Sequence, residues 1–247
     1  MFNSTFSTLT KSAKSFGFGF KGRDITKGFA KCLFKGPFLL IPTNLSLTVI
    51  AHLLKHRMKQ KTIEKRCNFK TDRLSVCGWA SLYADKESKN NFDKKVISIL
   101  TPKVTKSLPD GWQNIKTVTD AQSWIRDRAE ESHFVTVQLK PTNEIVGFIF
   151  FYESDFQESS YKLRFGYLLS DSVWGKGLGV ELIKGLINWC KAEGNIISIS
   201  GGVETDNVGS IKVLEKTGFS PSTIANRTED TVFYEYLFNT EQSDNSD

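Results

Sequence analysis

Residues 174–219 constrain the fold more than any other stretch. Trp174-Gly175-Lys176-Gly177-Leu178-Gly179 places three glycines in six residues, directly ahead of an amphipathic run. A glycine-rich turn that opens a helix points free main-chain N–H groups at one spot, and the helix dipole adds about half a positive charge there. That is a phosphate site in outline. One such turn is weak evidence. Here a β-like run follows the helix, and a second helix start, Asn207-Val208-Gly209-Ser210, appears about 30 residues after the turn. The pairing makes the signal specific.

Leu182, Ile183, Leu186, Ile187 and Cys190 form one apolar stripe, so the run after the turn is expected to be a helix. Residues 196–200 read as a short strand and residues 208–217 as a helix with Gly218 at its C-terminal cap. Residues 231–238 read as the last strand. Upstream, residues 73–79 look like a first strand, and residues 80–130 look mostly helical with a break at Leu108-Pro109-Asp110-Gly111. Residues 134–139 alternate, as a half-buried strand does. Pro141-Thr142-Asn143-Glu144 is a turn. Residues 145–152 are nearly all apolar, which predicts a central strand paired antiparallel to its predecessor. Tyr161, Leu163, Phe165, Tyr167 and Leu169 share one face of the strand that feeds the glycine turn. The order predicts an α/β (α+β) fold: a mixed, mostly antiparallel sheet with helices on both faces. A ligand is expected where that strand meets the turn.

Charge divides the chain. Residues 1–66 carry 13 Lys/Arg against only Asp24 and Glu64, whereas the remainder is net acidic. Residues 1–66 read as a basic, Ser/Phe/Lys-rich extension. Their first 36 residues match a targeting peptide in composition, and disorder is the plain alternative. An amphipathic helix is expected near 44–66, capped by Asn44, with Leu47, Ile50, Leu54 and Met58 on one face. It suits a membrane surface, nucleic acid or the ribosome as well as the domain that follows. Residues 67–240 form the second domain, and 241–247 a polar tail. Cys32, Cys67, Cys77 and Cys190 have no zinc spacing and suit reduced thiols in a cytoplasm-like compartment. No metal is expected, and the sequence leaves the oligomeric state open.

Four motifs in order resemble the GNAT superfamily of acetyl-CoA-dependent N-acetyltransferases, nearest the branch of ribosomal-protein alanine and serine N-acetyltransferases. Gly177-Leu178-Gly179 is similar to the family's pyrophosphate turn. Asn207-x-x-Ser210 with Leu214-Glu215-Lys216-x-Gly218-Phe219 is similar to its second motif. Phe165-Gly166-Tyr167-Leu168-Leu169 resembles the strand before the turn, and Thr71-Asp72-Arg73-Leu74 the branch's first strand. The resemblance implies acetyl-CoA as co-substrate, in a cleft between the strand at 161–169 and the strand near 196–204. Main-chain groups of Leu168 and Leu169 would pair with the pantetheine arm. The amides of Gly175, Lys176, Gly177, Leu178 and Gly179 would hold the pyrophosphate, with Lys176 the nearest cation. Asn207 either caps its helix or bonds the pantetheine, or both. Ser210 is implied to donate to the departing sulfur.

Two positions depart from that pattern. Trp174 stands where the family has Gln or Arg, which removes a phosphate donor and suggests a ring packed under the turn. Arg164 stands two residues before Gly166, where relatives often carry a glutamate, and arginine cannot act as a base. Glu229 is the leading substitute, with Asp230, Glu204 and Glu153 behind it. The implied reaction is direct attack of a neutral amine on the thioester, with a main-chain N–H near Leu168 stabilising the oxyanion. A site without a strong base suits an α-amine, so a protein or peptide N-terminus is the expected acceptor. A small-molecule amine is the second reading, and a non-catalytic acyl-CoA-binding or ribosome-associated module the third. The expected location is cytoplasmic, unless the extension directs the chain to an organelle.

Overall fold

A computed structural model describes residues 63–156, 160–222 and 230–238. The chain divides into two units, Met1–Thr62 and Ile63–Asp247, and the fold below is that of the second. The helix expected from Asn44, the targeting-like segment and the tail at 241–247 lie outside the described residues, except that 63–66 are helical. Ile63 and Cys67 are buried in the core of the second unit.

Among the described residues eight strands form one sheet, the longer ones built on alternating or continuous apolar positions. They are β1 (Phe69–Lys70), β2 (Leu74–Gly78), β3 (His133–Leu139), β4 (Glu144–Phe156), β5 (Tyr161–Leu169), β6 (Ile196–Glu204), β7 (Ser220–Pro221) and β8 (Thr231–Leu237). The order is β1-β2-β3-β4-β5-β6-β8-β7. Every pairing is antiparallel except β5 with β6. The β3–β4 turn carries Asn143 at φ 54°, a conformation asparagine tolerates better than most residues.

Each face buries a different core. On one face Val135, Val137, Ile149, Phe151, Leu163, Phe165, Ile199 and Val203 meet the expected stripe Leu182, Ile183, Leu186, Ile187 and Cys190. That stripe belongs to α4 (Leu178–Glu193), and α5 (Val208–Lys216) adds Leu214. The other face is aromatic. Phe134, Phe148 and Phe150 lie under α1 (Lys86–Ile99) and α3 (Val118–Glu131), with Trp124 5.5 Å from Phe148 and Trp112 4.7 Å from Phe150. Full burial of each such side chain contributes about 1.5–3 kcal/mol. A short helix α2 (Pro102–Thr105) and a 3-10 turn (Asp110–Trp112) connect α1 to α3. Asp85 caps α1, and a Thr117/Asp120 capping box starts α3.

The strand expected at 196–200 runs on to Glu204. Gly201 and Gly202 look like an ending, yet the ladder passes through them because Tyr234 and Phe233 of β8 pair with them, and close neighbours leave no room there for a side chain. A Cβ on Gly201 would lie 3.1 Å from the Phe165 carbonyl oxygen, and one on Gly202 3.0 Å from the Phe233 ring.

Candidate active site

The sheet opens at one place. β5 and β6 pair in parallel only from Tyr161↔Ile196 to Arg164↔Ser200. Beyond that, β5 keeps β4 as its partner through Leu169, and β6 keeps β8 through Glu204. Past the contact of Phe165 with Gly201, a fork therefore separates residues 167–169 from residues 202–204. Two hydrogen bonds fix which main-chain groups face it. Tyr161 N–H donates to the Asn195 carbonyl (2.9 Å) across the β5–β6 edge, and Ser170 N–H donates to Val146 (2.7 Å) across the β4 edge. Main-chain polar groups alternate between the two edges of a strand. Both bonds assign the same alternation: Gly166 and Leu168 turn toward β4, and Phe165, Tyr167 and Leu169 toward the fork.

This corrects the expectation for Leu168. Its N–H and C=O lie on the β4 side, so they pair with neither a pantetheine arm nor an oxyanion. Tyr167 joins Leu169 as the residue whose main chain faces the cleft. The Leu169 carbonyl accepts from Trp174 Nε1 at 2.8 Å. The expectation for Trp174 changes as well. Its side chain is not packed under the turn: the residue is 44% exposed, with Lys103 Nζ 5.1 Å from the ring centroid.

The glycine turn lies past the end of β5. Gly175 and Gly177 take φ of +73° and +76°, the left-handed region that glycine enters without strain. Gly177 is the N-cap of α4 and gives no side-chain cap, so the first N–H groups of a 16-residue helix, beginning at Leu178 and Gly179, have no side-chain acceptor. Gly179 brings α4 against α5, where an added Cβ would lie 3.1 Å from Val213. Arg73 staples the turn: its Nη1 donates to the Lys176 carbonyl (3.0 Å), and its Nε and main-chain N–H donate to Glu181 (2.6 and 2.7 Å). Burial pushes the Glu181 carboxyl up, but hydrogen bonds from Thr71 and Arg73 and the arginine's charge outweigh it and leave it below the usual range. Lys176 Nζ donates to the Ser172 carbonyl at 2.9 Å, which places it beside the turn on an exposed residue. A helix start of this kind accepts a diphosphate through its amides.

The opposite wall comes from α5. Asn207 Oδ1 accepts from Ser210 N–H at 3.1 Å, so the asparagine does cap the helix. The Tyr167 phenol shares a hydrogen bond with the Ser210 side chain; burial pushes that phenol up, and the bond draws it partly back. Tyr167 was not among the sequence candidates, although its alternation with Phe165 and Leu169 already placed it on this face.

The other face of the fork carries Arg164 on β5 and Glu204 on β6. The Arg164 guanidinium carbon sits 5.0 Å from the Phe233 ring centroid. Burial pushes the Glu204 carboxyl up, and the charges of Asp206 and Asp230 add to the effect. Glu229 and the side chain of Glu153 lie outside the described residues. Among the described residues, no three His, Cys, Asp or Glu side chains gather as a metal site, and no helix is long and apolar enough to cross a membrane. Cys67, Cys77 and Cys190 are free thiols, and burial pushes Cys67 and Cys190 up.

The model of the GNAT acetyltransferase domain matches residues 79–220. The chain belongs to the GNAT acetyltransferase family. This GNAT protein is 31% identical over 127 residues to the uncharacterized N-acetyltransferase p20 of Bacillus licheniformis, a match covering 48% of this chain and 67% of the relative. It is 26% identical over 106 residues to an L-methionine sulfoximine/L-methionine sulfone acetyltransferase of Pseudomonas aeruginosa, covering 42% and 61% respectively. Its fold matches that of RimL, a ribosomal-protein α-N-acetyltransferase solved with coenzyme A, at a TM-score of 0.52 and 15% identity, over 69% of this chain and 97% of RimL. The chain is an acetyl-CoA-dependent N-acetyltransferase. The fork and the uncapped α4 start fit that co-substrate: the first offers strand edges to an amide-bearing arm, the second offers amides to a diphosphate.

Proposed function

We propose that this GNAT enzyme acetylates an α-amine, above all that of a protein or peptide N-terminus. The reading rests on one observation. The β5 position facing the acceptor side holds Arg164, a fixed cation, and the described carboxyl nearest in role is Glu204, at the far end of β6. An α-amine titrates near 7.7–8.0 and a lysine near 10.4. At neutral pH roughly a tenth of α-amines are neutral, against well under a thousandth of lysines. A site with a distant base therefore favours the α-amine.

Acetyl-CoA, when bound, supplies the activated acyl carbon. In this reading the amides of Gly175, Lys176, Gly177, Leu178 and Gly179 hold the diphosphate. The N–H groups of Tyr167 and Leu169 hold the arm and polarise the acyl oxygen. Glu204, with its carboxyl raised, takes the amine proton, directly or through a water, and a base of raised pKa does this better than an ordinary surface glutamate. Ser210, bonded to the Tyr167 phenol, donates to the departing sulfur. Fold similarity to RimL, whose name records α-N-acetylation of a ribosomal protein, agrees with this choice. The Pseudomonas relative, named for methionine derivatives, favours a second reading in which the α-amine belongs to a small molecule.

The test is mass spectrometry after incubation with labelled acetyl-CoA. The panel holds peptides with free N-termini, the same peptides blocked at the N-terminus but carrying lysine, free amino acids, and spermidine. Label on free α-amines is expected. Label confined to lysine side chains or spermidine would overturn the proposal.

A further inference from the structure

Arg128 is out of place as a structural residue. It sits in the last turn of α3 and is 5% exposed. Glu131 accepts from its Nη2 at 2.8 Å, but Nε and Nη1 are buried with no hydrogen-bond partner. The guanidinium carbon lies over the Trp112 ring, 4.4 Å from its centroid. A contact of that kind engages the face of the guanidinium and leaves the in-plane N–H groups unanswered. Buried donors without partners are rare in folded proteins, and each asks for a reason.

The position suggests one. Trp112 packs on Phe150 of β4, and two residues along β4 is Tyr152, directly opposite Arg164 on β5. The Tyr152 hydroxyl is pushed up by burial, drawn down by Arg128, raised by Glu131, and lowered by Ser132 and Arg164. Both guanidiniums therefore act on one hydroxyl. Arg164 is also the last β5 residue paired with β6 before the fork opens. Phe150 and Tyr152 pair with Gly166 and Arg164, the β5 residues at the mouth of the fork, so the stack of Arg128 on Trp112 lies over the same face of the sheet as Arg164. That face suits an acceptor with its amine in the fork and an anionic group on the α3 side.

We infer that Arg128, with its two unanswered N–H groups, forms an anion subsite for the acceptor and takes a carboxylate carried close to the acceptor amine. The inference rests on the α-amine reading above and deepens it. Two acceptor types supply the same chemistry: a free amino acid through its α-carboxylate, and a peptide through an acidic side chain at its N-terminus. The planar fork of arginine suits a carboxylate through two N–H groups, and lysine does not reproduce it.

The experiment measures steady-state kinetics with matched acceptors: an amino acid against its amide, and C-terminally amidated peptides beginning with glutamate against those beginning with glutamine. Wild type, Arg128→Lys and Arg128→Gln are compared, with coenzyme A affinity as the check on folding. The wild type is expected to favour the carboxylate-bearing member of at least one pair by roughly tenfold to a hundredfold in kcat/KM, through KM. Both variants should lose that preference while binding coenzyme A normally. The pair that shows the preference identifies the source of the carboxylate. Acetylation of α-amines with no preference in either pair overturns the subsite and leaves the α-amine reading standing. A loss in Arg128→Gln that is equal for both members of a pair also overturns it, because that is how a purely structural arginine behaves. No acetylation of any α-amine defeats the underlying reading instead.

Discussion

Replacing Gly177 by alanine separates the turn's role in ligand binding from its role in folding. The residue sits at φ +76°, and an added Cβ would meet only Arg73 Nη2, at an ordinary 3.7 Å. The steric cost is therefore the left-handed backbone itself, about 1–2 kcal/mol. For a domain of this size that lowers Tm by roughly 2–8 °C. The effect on coenzyme A should be larger. If the backbone relaxes out of the left-handed region, the amides at the start of α4 no longer converge. Losing one hydrogen bond to a charged group costs about 1.5–3 kcal/mol, equivalent to roughly a 10–150-fold weaker Kd. Gly78→Ala is the control. Its Cβ would lie 3.1 Å from the Glu64 carbonyl oxygen, on β2 with β3 and β4 between it and β5, so it should cost stability with little change in affinity. Isothermal calorimetry with coenzyme A, beside thermal melts, reads both quantities. If Gly177→Ala lowers Tm as expected yet binds coenzyme A as tightly as Gly78→Ala does, the turn is only a turn and the reasoning fails.

Three further outcomes follow from the same geometry. Glu204→Gln should cut kcat at neutral pH by tenfold or more and abolish an acid limb that lies above the ordinary glutamate value of 4.5; an unchanged pH profile would remove Glu204 as proton acceptor. Ser210→Ala and Tyr167→Phe should each lower kcat, and the double variant should fall no further than the worse single one, since the two hydroxyls share one bond; additive losses in a double-mutant cycle would show independent roles. Because the folded Glu181 carboxyl is depressed, its contribution is complete above about pH 4.5 and is lost as pH falls through the folded value; coenzyme A affinity should drop over that acid window in the wild type, and Glu181→Gln, already weakened, should not show the drop.

Much of the fold was readable because its periodicities are strong. The strand at residues 161–169 matches its expected limits, and the helix after the turn owes its position to the Leu182–Cys190 stripe. Residues governed by long-range contacts were harder to read. β1 and β7 are two residues each, too short to carry any alternation. The extension of β6 through Gly201 and Gly202 depends on pairing with β8, which no local pattern records. At the site, the glycine turn and the Asn207 cap are local and were legible. The main-chain assignment of Leu168 was not, because it depends on which edge of β5 faces β4. Trp174 was misplaced for a similar reason, since its partner is the Leu169 carbonyl across a turn. Arg128 gave no signal: on its helix it looks like any surface cation, and only the tertiary burial of its N–H groups distinguishes it.

The fork has a thermodynamic consequence for the living cell. A sheet that parts in its middle exposes strand edges of the kind proteins elsewhere cover or shorten. A ligand that lies along those edges acts as a missing rung and binds only the folded chain. Saturation to one hundred times Kd then adds about 2.7 kcal/mol of resistance to unfolding. The filled fork thus shields the chain from any process that acts on its unfolded form, and the empty one does not.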